Sequence, residues 1–168
     1  MKLTLDVENT TTKRDGKLHL DPFEPDNSLT MIGMLNDQGV ERLVTFDHSE
    51  VEADDFGHTV VQEWLDKTTV LIMHNAAYDL LWLWESGFKY DGPVFDTMLG
   101  EYVLQRGIKE PLSLEACAER YELDTKKQDT LKEYFKRGYT TREIPHAELS
   151  EYLSADIHAT QQLSDKLV

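Results

Sequence analysis

A chain of 168 residues, 40% hydrophobic and 29% charged, has the size and make-up of one folded domain around one core. No apolar run is long enough to span a bilayer, and Asp6 and Glu8 interrupt any signal-like start. A net charge of -15 excludes indiscriminate nucleic-acid binding through a basic surface; the lone Cys117 excludes an internal disulfide framework and fits a reducing, cytoplasmic compartment.

The first expected element is a strand over 2–7 (KLTLDV), and it poses a problem at once. Asp6 and Glu8 stand two residues apart, so in a strand both carboxylates leave from one face. Like charges that close resist burial unless a cation lies between them. Residues 10–28 carry a glycine, two prolines and Asp/Asn punctuation and read as a long loop. Strands follow over 29–35 and 40–46, joined hairpin-fashion by NDQG. Helical spacing returns at 59–66. TVLIMHN at 69–75 is the continuous apolar run expected of a strand covered on both faces.

A helix fits 76–86, stopped by Gly87, and VFD at 94–96 makes a short last strand. Beyond it the pattern is helical: 97–105, then 113–121 with Ser113 as N-cap, then about 129–136, and finally 146–167. This order predicts an α/β domain with a mixed sheet, one domain over 1–168. The charge is unevenly spread along it. Residues 106–142 hold nine of the seventeen Lys and Arg (Lys126 and Lys127 among them) against seven acids, a net +2 that leaves -17 for the rest.

Two later segments supply company for the first-strand acids. HNAAYDLLWL places Asn75 and Asp79 four residues apart around a strand–helix junction, and EYLSADIHAT places Tyr152 and Asp156 four apart on the last helix. Residues at i and i+4 share a helix face, so the phenol and the carboxylate look into the same space. Oxygen-only donors suit hard divalent cations such as Mg²⁺ or Mn²⁺. Two such ions in one site activate water and stabilise the leaving oxygen of a phosphodiester. Metal between them would explain how Asp6 and Glu8 tolerate each other.

These residues resemble a known family. D-x-E (Asp6, Glu8), N-x-x-x-D (Asn75, Asp79) and Y-x-x-x-D (Tyr152, Asp156) look like the three exonuclease motifs of the DEDD superfamily, tyrosine subgroup, and more narrowly like the 3′→5′ proofreading domain of family A DNA polymerases. VFDTMLGEYVL at 94–104 and LSLEACAERYEL at 112–123 are similar to the segments that follow the second motif there. The resemblance implies a ribonuclease H-like α/β fold with a five-stranded mixed sheet, only the second strand of it antiparallel. It also implies a 3′→5′ exonuclease that hydrolyses single-stranded DNA ends to 5′-mononucleotides with two Mg²⁺ ions, Mn²⁺ serving as a substitute.

Carried over by position, Asp6 bridges both ions, Glu8 and Asp156 hold the one that activates water, and Asp79 binds the second. Tyr152 orients the attacking water without ionising, and Asn75 helps hold the 3′-terminal nucleotide. Asn9, where many relatives have Thr, is expected at that nucleotide as well. No polymerase segment follows Val168, so a stand-alone exonuclease, a split polymerase and an excised domain all stay open, with a separate polymerase subunit or domain as partner. Two rivals remain: an exoribonuclease on the same scaffold, and a non-catalytic nucleic-acid-binding accessory module of a polymerase.

Other residues near the motifs admit both a functional and a structural role. His74 and His158 flank the motifs, but the tyrosine subgroup has no need of them. Asp96 is expected to cap the helix that follows it rather than bind metal. Trp82 and Trp84 are expected to be packing residues, with one of Trp64, Trp82 and Trp84 lining the strand channel. The run KRGYTTRE at 136–143 offers Arg137 and Arg142 as phosphate contacts near the mouth of the site. Cys117 reads as a small buried hydrophobe.

Overall fold

The computed structural model describes residues 1–123 and 128–168, so Lys126 and Lys127 of the basic stretch lie outside the described residues. β1 (Lys2–Asn9) is the central strand of a five-stranded sheet ordered β5-β4-β1-β6-β7. β4 (Leu29–Asn36) runs antiparallel to both β1 and β5 (Glu41–Thr45). β6 (Val70–Met73) and β7 (Val94–Asp96) run parallel to β1. β4 alone is reversed because NDQG turns the chain straight back: Gly39 takes positive φ and its N–H donates to the Asn36 carbonyl.

The alternation along β1 sorts its residues between two layers. Leu3, Leu5 and Val7 are buried with Ile32, Met34 and Val44 against α1 (Gly57–Asp66) and α2 (Ala76–Glu85). On the opposite face of β4, Met31 and Leu35 join Leu149, Leu153 and Ile157 of α6 (His146–Leu167) in a second cluster. Thr4, Asp6 and Glu8 lie across from Leu35, Gly33 and Met31, so they share the face that α6 covers. The carboxylates therefore point beneath the last helix.

Gly33 allows that helix to come close. A Cβ there would sit 2.8 Å from Leu153 Cγ, so any side chain would push α6 off the sheet opposite Asp6. α3 (Thr97–Leu104) and α4 (Leu114–Arg120) brace the far side of α6, as α5 (Gln128–Lys136) does elsewhere along it. Buried Glu101 ties α3 to α4, accepting from Arg120 at 3.0 Å and from the Tyr121 hydroxyl at 2.7 Å. Ser113 caps α4 as expected, its hydroxyl accepting from the Ala116 N–H at 3.2 Å.

The 10–28 segment differs from the expected loop. It contains a hairpin of β2 (Thr12–Arg14) and β3 (Lys17–His19), turned at Asp15–Gly16, both with positive φ. The Asp-Gly pair was the available signal. Strands of three residues are too short for alternation to reveal them. Among the described residues, no helix is long and apolar enough to cross a membrane.

Candidate active site

Three elements converge at the carboxyl end of β1. Carboxylate oxygens of Asp6, Glu8 and Asp156 all lie within 4.8 Å of one another. Asp79, in the first turn of α2, stands beside Asp6 and close to the Val7 N–H. Asp79 and Asp156 are only 3% and 7% exposed, while Asp6 and Glu8 keep partial access to solvent. Asp79 Oδ2 is buried and has no hydrogen-bond partner among the described residues. An orphaned oxygen on a buried carboxylate that neighbours Asp6 and Glu8 fits the ligand of a cation.

The electrostatics agree. Burial pushes the Asp6 carboxyl up to about 6, against the Asp79 and Val7 hydrogen bonds that pull it down. Burial and repulsion from Asp6 push Asp156 up to about 8. Glu8 is held well above the ordinary carboxylate range by burial, then by Asp6 and Asp156; Asp79 likewise by burial, then by Asp6 and Glu8. The charges that raise Glu8, Asp79 and Asp156 are those of neighbouring carboxylates, Asp6 foremost. Tyr152, half-buried, stands beside Asp156, and burial followed by repulsion from Asp156, Glu8 and Asp6 keeps its phenol protonated. A set of hard oxygen donors short of positive charge fits divalent cations such as Mg²⁺.

Other expected residues lie around this centre in different states. Asn75 is exposed and begins α2 in the left-handed conformation (φ 65), with no side-chain capping bond. Asn9 is buried, and both ends of its amide are engaged internally: Nδ2 donates to the Thr10 and Leu20 carbonyls, and Oδ1 accepts from the Tyr78 hydroxyl at 2.8 Å. Arg142 donates to Asp47 at 2.9 Å, and Arg137 faces Glu133 at 3.9 Å, one helical turn away. Both arginines thus lie beside carboxylates of their own chain.

His74 is a strut between Thr97 and the Leu112 carbonyl, at 2.8 Å each, and His158 faces Glu41 at 3.6 Å on the surface. Trp82 is core, but Trp84 corrects the packing expectation: it is 54% exposed, because α2 buries Ala76, Asp79, Trp82 and Leu83 and turns Trp84 outward. Trp64 packs against the core.

Two contributors escaped the motif reading. Asp96 caps α3 as expected, accepting from Met98 at 2.9 Å and Leu99 at 3.4 Å, and its carboxylate also accepts from the Asn75 and Ala76 N–H groups at 3.0 Å each. It therefore fixes the start of the helix that carries Asp79. Gly33 is the other; a glycine inside the apolar strand MIGML was the sequence signal for a close approach.

A ribonuclease H-like sheet with an acid cluster at the end of its central strand defines a nuclease of the DEDD type. A family model described as 3′-5′ exonuclease, of the family A DNA polymerase kind, matches residues 20–168. The chain belongs to this 3′→5′ exonuclease family, whose members depend on divalent metal. The match begins beyond β1, so membership is independent of Asp6 and Glu8. Among solved structures, Brucella melitensis NrnC with bound Mg²⁺ is 20% identical, with TM-score 0.64 over 99% of this chain and 71% of that one. The same protein bound to pGG gives 20% and TM-score 0.65, with the same coverage. The POL domain of Pol1 from M. smegmatis, in complex with DNA primer-template and dNTP, is 17% identical, with TM-score 0.58 over 98% of this chain and 23% of that one. At these identities the likeness is one of fold. No curated protein matches the chain by sequence.

Proposed function

We propose that this chain removes nucleotides from the 3′ end of single-stranded DNA, releasing 5′-mononucleotides, as a proofreading-type exonuclease beside a polymerase subunit or domain. The observation that supports this reading is the convergence of Asp6, Glu8 and Asp156 within 4.8 Å, with Asp79 against Asp6. Asp6, Glu8, Asp79 and Asp156 would hold two divalent ions, Mg²⁺ in the cell and Mn²⁺ as a substitute, with Asp79 offering its unpartnered oxygen. Such ions supply Lewis acidity, easing deprotonation of the attacking water and offsetting negative charge around phosphorus.

The chain's own residues do the rest. Tyr152 keeps its proton, so it acts as a hydrogen-bonding group that orients the water and not as a base. Water oxygen bonds to phosphorus while the bond to the 3′ oxygen of the preceding nucleotide breaks; that oxygen takes up a proton, and the terminal nucleotide leaves with a 5′-phosphate. Exposed Asn75, at the entrance to α2, is available to the terminal nucleotide. Low base specificity follows, since the reacting group is the phosphodiester. The single buried Cys117 supports a cytoplasmic setting.

A second reading, an exonuclease for short RNA, is favoured by the fold shared with NrnC bound to pGG. Twelve-nucleotide DNA and RNA strands labelled at the 5′ end, incubated with Mg²⁺, separate the two. A ladder shortening one nucleotide at a time from the 3′ end of DNA is the expected result. An intact DNA strand under both Mg²⁺ and Mn²⁺ would rule the first reading out, and shortening of RNA alone would establish the second.

A further inference from the structure

Past Thr4 the first strand is paired on one side only. Its ladder with β6 joins Lys2, Leu3 and Thr4 and goes no further, while its ladder with β4 shifts register between Glu8 and Asn9. A shift of this kind bends a strand and re-aims its side chains, so the ladder alone does not fix where Glu8 stands. The start of α2 lies beside this strand tip, with Asp79 next to Asp6. Glu8 and Asp79 repel each other, which works to part β1 from α2. Some other restraint must hold the two elements together.

A polar network supplies it. Asn9, the residue after Glu8, accepts at Oδ1 from the hydroxyl of Tyr78, the residue before Asp79, at 2.8 Å. The same hydroxyl reaches the Leu20 carbonyl at 3.1 Å, and that carbonyl also accepts from Trp82 Nε1 at 3.1 Å and from Asn9 Nδ2 at 3.2 Å. Tyr78 and Trp82 stand four positions apart and share a face of α2. Asn27 keeps the shared acceptor in place: its amide donates to the carbonyls of His19 and Asp21, on either side of Leu20, at 3.0 and 2.9 Å. Asn9 and Trp82 are buried, so breaking these bonds would leave polar groups unpaired away from water.

The geometry points to Asn9 and Tyr78 as positioning residues: their hydrogen bond, backed by the Leu20 carbonyl, fixes Glu8 against Asp79 and so sets the spacing of the acids that hold metal. The inference rests on the exonuclease reading above. Direct contact with the terminal nucleotide is the competing role for Asn9. Its amide is engaged within the protein at both ends, which favours the tie between β1 and α2.

The test is a double-mutant cycle of Asn9→Ala, Tyr78→Phe and the two combined, each checked for folding by circular dichroism. Mn²⁺ alone is titrated into each protein and its free fraction read by electron paramagnetic resonance. Cleavage of a single strand, DNA or RNA as wild type shortens it, is then measured at saturating Mn²⁺. Each single variant should weaken Mn²⁺ binding about tenfold and lower kcat about tenfold, with KM within about twofold of wild type. Both remove the same bond, so the double variant should be at most about twofold worse than the poorer single one. Mn²⁺ affinity within about twofold of wild type in both single variants overturns the inference, and so do losses that multiply in the double variant. A rise in KM in place of the loss of Mn²⁺ affinity, the result of direct contact with the nucleotide, overturns it as well. Wild type that binds no Mn²⁺ and shortens neither strand instead overturns the exonuclease reading.

Discussion

Asp6 meets every other acid of the site. It stands beside Asp79, and one of its carboxylate oxygens lies within 4.8 Å of those of Glu8 and Asp156. Asp6→Asn should therefore lower hydrolysis by about three orders of magnitude or more, on the order of 4 kcal/mol of barrier, measured as kcat with Mg²⁺. The same change should stabilise the metal-free protein, and pH decides by how much. An unfolded carboxyl loses its proton near pH ~4, but in the fold Asp6 holds on to about 6 and Asp156 to about 8. Between those limits the folded state binds more protons than the unfolded one, so these groups lower stability as pH rises. Melting curves in EDTA should show Asp6→Asn exceeding wild type in Tm, with a gap that widens from about pH 4 to about pH 8. A gap independent of pH would contradict the assignment. Tyr152→Phe tests a different point. It should lower kcat about 10- to 100-fold, the scale of one misaligned group, without moving the pH profile, because the phenol never ionises there.

Single atoms at the ends of elements fix where these acids stand. Asp96 accepts four backbone N–H groups from the starts of α2 and α3. Asp96→Ala removes the cap of two helices, a loss of about 1–4 kcal/mol at ~0.5–2 kcal/mol per cap, and it frees the turn that precedes Asp79. Urea melts should show the destabilisation, and kcat should fall further than the folded fraction accounts for. A kcat that merely tracks the folded fraction would leave Asp96 no positioning role. At the opposite element, Leu153 packs over Gly33 directly across from Asp6. Gly33→Ala should displace α6 and lower kcat about tenfold by separating Asp156 from Asp6. Leu153→Ala alone should cost about 2–5 kcal/mol of stability, since Leu153 is fully buried. Combining the two should cost less than their sum, because the smaller side chain makes room for the new Cβ; strict additivity would refute the close-approach account.

Across the whole molecule, four mutually repelling acids under a long helix make the fold and its metal interdependent. Mg²⁺ at a hundredfold over its Kd should stabilise the protein by about 2.7 kcal/mol, seen as a rise in Tm that EDTA reverses and Asp6→Asn abolishes. A Tm indifferent to Mg²⁺ would mean the acids do not hold it. Much of this arrangement was legible along the chain. Period-two alternation in KLTLDVEN put Asp6 and Glu8 on one face, period-3.6 spacing put Tyr152 and Asp156 on another, and three motifs in order named the family. The same local reading missed the Asp15–Gly16 hairpin, whose strands are too short to alternate, and it buried Trp84, which faces solvent.

The chain by itself determined which donors exist, in what order, and which face of each strand or helix bears them, because periodicity is a property of neighbours. Tertiary structure alone decided what each donor touches. It gave Asp96 a second helix to cap, joined Asn9 to Tyr78, turned Arg142 onto Asp47 and left Asp79 Oδ2 without a partner. Those contacts join residues up to 95 positions apart, and only packing chooses among the many partners such separations allow.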